Sequence, residues 1–93
     1  MQAQAITALT NIRGNVMETY QNLGDDSGVA FYEIGHDHIW VQFRDGTKYR
    51  YSNASAGAEN ISEMKRLAVE GQGLNSFINT NSDVRKGYDQ KEP

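Results

Sequence analysis

The chain has 93 residues, 38% of them hydrophobic, with a formal net charge of −3 at pH 7, which allows one small domain with a core just large enough to fold alone and excludes a second. It contains no cysteine, so disulfide staples, thiolate catalysis and cysteine-ligated zinc are excluded, and a reducing cytoplasm is the expected compartment. The acidic balance argues against an unspecific polyanion binder, no apolar run approaches a membrane span, and Met1-Gln2-Ala3-Gln4 lacks the basic-then-apolar order of a signal peptide.

From Gln2 to about Leu23, the apolar residues Ile6, Leu9, Ile12 (or Val16 one turn on), Tyr20 and Leu23 recur every three or four positions. That spacing predicts an amphipathic helix over residues 1–24, weakened in its middle by Gly14 and Asn15. Asp25-Asp26-Ser27-Gly28 follows as a polar turn, and the segment from Gly28 to Ile34 reads as a strand. Gly35-His36-Asp37-His38 turns the chain into a second strand, Ile39 to Phe43. Two histidines one residue apart on a hairpin tip offer too few fixed ligands for a metal, so no metal or cofactor is expected.

Arg44-Asp45-Gly46 joins that strand to a third, Thr47 to Tyr51, and the loop length decides which side chains share a face. A two-residue Asp45-Gly46 loop would put Lys48 and Arg50 among Ile39, Val41 and Phe43, spoiling the core. A three-residue loop with Gly46 in the left-handed region pairs Phe43 with Thr47, Val41 with Tyr49 and Ile39 with Tyr51, leaving one face continuously apolar. The second register is expected. On the opposite face Trp40 then lies against Arg50 and Gln42 against Lys48, with Arg44 at the loop. Upstream, Ile34 should pair with Ile39 and Tyr32 with Val41, so that Ala30 joins the core face and Val29, Phe31 and Glu33 join the Trp40 face.

Ser52 to Gly57 is small and polar, a loop, and the next helix carries Ile61, Met64, Leu67 and Ala68 on one side; Ser55 and Asn60 are both plausible N-caps. Gly71 and Gly73 should close it. Leu74 to Asn79 allows one short helix, and residues 89–93 read as a polar tail. The expected fold is α+β: an N-terminal helix, a three-stranded antiparallel β-meander, then one long and one short C-terminal helix packed on one sheet face. The N-terminal helix either lies over the Trp40 face or packs at the sheet edge.

Phe43 to Tyr51, with its central Tyr49-Arg50-Tyr51 and the preceding Ile39-Trp40-Val41-Gln42-Phe43, resembles the KTSC domain, a small bacterial module named from the C-terminus of some lysyl-tRNA synthetases. The likeness continues through Gly73, Phe77-Ile78 and Val84-Arg85-Lys86-Gly87-Tyr88, so that residues 28–88 form the KTSC-like body. The chain lacks the family's Val-Pro after the Tyr-x-Tyr. The resemblance implies a family of unknown function for which RNA binding is proposed from its attachment to a synthetase.

The chemistry-bearing residues point to binding and not to catalysis. No nucleophile with a nearby base stands out, the carboxylates are scattered, and Gly71-Gln72-Gly73 lacks the Lys-Ser/Thr of a phosphate loop, so no enzyme is expected. Tyr49 and Tyr51 read as packing aromatics. Trp40, Arg44, Lys48 and Arg50, extended by Arg85 and Lys86, would make an aromatic and basic surface for single-stranded or structured RNA. The competing expectation is a protein-interaction or self-associating module that uses the N-terminal helix with Phe31 and Trp40.

Overall fold

A computed structural model describes residues 17–24 and 27–93. Among them the elements run β1 (Glu18–Thr19), β2 (Val29–Ile34), β3 (His38–Phe43), β4 (Lys48–Ser52), α1 (Asn53–Ala56), α2 (Ala58–Glu70), α3 (Leu74–Thr80), α4 (Ser82–Arg85) and β5 (Tyr88–Glu92). The strands form one antiparallel sheet in the order β1-β2-β3-β4-β5. The fold is α+β, as expected, but the sheet has five strands where three were predicted and four helices follow β4 where two were predicted.

The β3–β4 hairpin adopts the three-residue loop. Phe43 N–H donates to the Thr47 carbonyl and Gly46 N–H to the Phe43 carbonyl, both at 2.9 Å. Gly46 sits at φ +93°, where an L side chain is strained. The pairs that follow are Val41↔Tyr49, Ile39↔Tyr51, Trp40↔Arg50 and Gln42↔Lys48. In the β2–β3 hairpin Ile34 faces Ile39 and Tyr32 faces Val41, but a bulge between Val29 and Phe31 shifts the phase upstream. The expected roles of Val29 and Ala30 are therefore exchanged: Val29 is 1% exposed in the core, and Ala30 is not part of it.

The predicted N-terminal helix needs correction at its C-terminal end. Glu18–Thr19 is a short strand paired with β2, Tyr20 N–H donates to the Ala30 carbonyl, and Leu23 N–H donates to the Gly71 carbonyl. The backbone groups of this stretch are spent on the sheet and on the end of α2, so a helix there has none to use. The rest of that helix lies outside the described residues. The polar tail also needs correction, because residues 88–92 pair with β4 as the far edge strand.

The core lies between one sheet face and the helices. Val29, Ile39, Val41 and Tyr51 from the sheet pack with Ile61, Met64 and Ala68 of α2, Leu74 and Ile78 of α3, and Val84 of α4. Tyr20 closes the β1 side, its hydroxyl accepting the Leu74 N–H at 3.2 Å. Neither predicted cap starts a helix. Ser52 caps α1 in a reciprocal capping box with Ser55, and α2 begins after Gly57 with no side-chain cap. Gly71 ends α2 in the left-handed region as expected, whereas Gly73 precedes α3. Ser55 Oγ donates to the Gly87 carbonyl, tying α1 to the start of β5. No described helix is long and apolar enough to cross a membrane.

Candidate functional site

Strand alternation sorts the sequence-predicted residues onto opposite faces of the sheet. On the face away from the helices, Trp40 stands between Glu33 and Arg50, and Gln42 between Phe31 and Lys48. The Lys48 ammonium lies 5.9 Å from the Trp40 ring centroid, within cation–π reach. It also lies 3.2 Å from a Glu92 carboxylate oxygen, and Arg50 Nη1 is 2.7 Å from Asp89 Oδ2. Met17, Glu33, Trp40, Lys48 and Glu92 line a hollow of about 240 Å³ on this face. Burial pushes the Glu33 carboxyl above its ordinary range, while His38 and Lys48 pull the other way.

β5 changes what this face can do. Asp89 and Glu92 belong to the expected polar tail, yet the strand brings them onto the very cations expected to meet phosphate. A paired cation must break or share its ion pair before it holds a polyanion. Arg44 is engaged as well, its Nε donating to the Ser27 carbonyl at 3.0 Å. Trp40, Lys48 and Arg50 thus share a face, Arg44 is bound at the loop, and Arg85 and Lys86 lie at the end of α4, where Arg85 lines a cleft with Tyr49 and Tyr51 instead. No three His, Cys, Asp or Glu side chains come together to hold a metal among the described residues.

The helix-side face carries a second arrangement. Tyr49 and Tyr51 point inward, with Tyr51 only 2% exposed. The Phe43 ring stands perpendicular to Tyr49 at 5.7 Å, Tyr88 meets Tyr49 edge-on at 4.9 Å, and Tyr51 stacks on Tyr49 at 6.4 Å. These four rings, with Asp45, Ile78, Asn79 and Arg85, line a cleft of about 330 Å³. Lys91 places its ammonium 5.6 Å from the Tyr49 centroid. Burial, followed by the neighbouring phenols of Tyr49 and Tyr88, raises the Tyr51 phenol well above its ordinary value.

This cleft was not legible as a site. Phe43, Tyr49, Tyr51, Ile78, Arg85 and Tyr88 all belong to motifs that carry the KTSC resemblance, and the Val84-Arg85-x-x-Tyr88 spacing was the available signal. One turn of α4 and the bulge between Arg50 and Tyr51 deliver Arg85 and Tyr88 to the same place. Comparison of the chain with protein families, with curated proteins and with solved structures gives no match.

Proposed function

We propose that the chain is a small non-enzymatic interaction module of the KTSC type, working in a bacterial cytoplasm, and that its Trp40 face binds a second copy of the chain. The observation that carries this reading is the pairing of both cations on that face with acids of β5, Lys48 with Glu92 and Arg50 with Asp89. What remains is an indole, a partly exposed Phe31 and a nearly balanced mosaic of charges. A two-fold interface sets one patch against itself, so a patch of mixed sign avoids the like-charge clash that a basic one would suffer. An aromatic centre with a polar rim is also the ordinary anatomy of a protein interface.

RNA is the competing ligand, with Trp40 as base platform and Lys48 and Arg50 as phosphate contacts. It requires both ion pairs to open, on a chain of net charge −3. Sedimentation of the full chain over a wide concentration range separates the two. Self-association through this face predicts a monomer–dimer equilibrium that Phe31→Glu and Trp40→Ala both shift to monomer. A chain that stays monomeric throughout, yet binds single-stranded RNA at low salt in an Arg50-dependent way, contradicts it.

A further inference from the structure

We propose that the aromatic cleft on the helix side of the sheet is a binding site for a small planar anion, an aromatic ring bearing a carboxylate or a phosphate. Its volume of about 330 Å³ falls within the range of small-ligand sites, which are concave, mostly apolar and furnished with a few convergent polar groups. The walls are rings set at steep angles to one another, Phe43 and Tyr88 each meeting Tyr49 near the perpendicular. A flat guest lying in the cleft against these rings gains the edge and face contacts that aromatic rings favour.

The charge at the cleft specifies the rest of the ligand. Arg85, on the cleft wall, and Lys91, beside Tyr49, form no ion pair among the described residues. This contrasts with Lys48 and Arg50 across the sheet. The wall's carboxylate, Asp45, already accepts the Thr47 N–H at 2.9 Å. A guanidinium beside apolar rings offers paired donors in a plane, the geometry that carboxylate and phosphate accept. The Asn79 amide and the tyrosine hydroxyls can donate to further oxygens.

The test uses the full chain and follows the ring resonances of Tyr49 and Tyr88 by NMR during titration with 4-hydroxyphenylacetate and with uridine 5′-monophosphate, against their uncharged counterparts p-cresol and uridine. Saturable shifts with either anion, about tenfold weaker for its neutral counterpart and about tenfold weaker in Arg85→Gln, are expected. Lys86→Gln should leave them unchanged. Binding of the acetate alone assigns the site to carboxylates, and of the nucleotide alone to phosphates. No saturable shift with either anion, or shifts that Arg85→Gln leaves intact, overturns the proposal; a preserved amide spectrum in that variant keeps the comparison valid.

Discussion

Gly46 and Gly87 are glycines for different reasons, and the difference is measurable. At Gly46 a β-carbon would meet nothing within 4 Å, so a side chain is penalised by the positive φ alone. Gly46→Ala should therefore cost only about 1 kcal/mol in a denaturant midpoint experiment. At Gly87 a β-carbon would press on the Asp83 carbonyl and approach the Ala56 β-carbon to 2.9 Å. Gly87→Ala is expected to cost more, roughly 1–3 kcal/mol, because backbone must move. Equal effects would contradict the packing described around α1 and α4. Tyr20 offers a third contrast: Tyr20→Phe keeps the ring but leaves the Leu74 N–H without its acceptor, and should cost about 1–3 kcal/mol. The Gly46 turn was legible because, of the two loops that Asp-Gly allows, only the three-residue one keeps Lys48 and Arg50 off the Ile39, Val41 and Phe43 face. The Val29 bulge was not, since Val29 and Ala30 are both apolar and pattern alone cannot say which takes the core.

The β3–β4 hairpin was readable as an element because its loop and both runs lie within thirteen consecutive residues, Ile39 to Tyr51, and agree with one another. β5 was not. Asp89-Gln90-Lys91-Glu92 shows no apolar alternation, and its strand form comes from the β4 partner some forty positions upstream. β1 failed for a related reason: Tyr20 and Leu23 continue a helical spacing, while their backbone bonds go to Ala30 and Gly71. The ion pairs of β5 yield a prediction of their own. Asp89→Asn with Glu92→Gln should alter stability by no more than about 1 kcal/mol, as partly exposed pairs do. The same double variant should acquire salt-sensitive affinity for single-stranded RNA at low ionic strength, read by fluorescence anisotropy, that the natural chain lacks. Equal RNA binding by both would mean that the acids do not mask Lys48 and Arg50.

Across the whole molecule the ionisable groups set where stability falls away. The Arg66 guanidinium holds the Glu63 carboxyl below its ordinary 4.5, and the bond to His38 holds Asp37 below its ordinary 3.8. Groups lowered by folding contribute stability above their unfolded values and lose it as pH falls through the folded ones. Glu33, raised mainly by burial, works in the opposite direction and is relieved on acidification. The urea midpoint should therefore decline only below about pH 4.5, with a small opposing contribution from Glu33. At the alkaline end Tyr51, raised by burial, favours the fold below its ordinary 10 and ceases to do so as pH rises through its folded value. A spectrophotometric tyrosine titration should show one phenol that ionises well after the others in the native chain, that joins them on unfolding, and whose late step is missing in Tyr51→Phe.

The hairpin register puts the chain's single tryptophan on the face assigned to self-association, so its emission reports on that face directly. With rising protein concentration the Trp40 maximum should move to the blue, the shift should vanish in Phe31→Glu, and single-stranded RNA should leave it unchanged. An emission indifferent to concentration but quenched by RNA in a salt-sensitive manner would contradict the account.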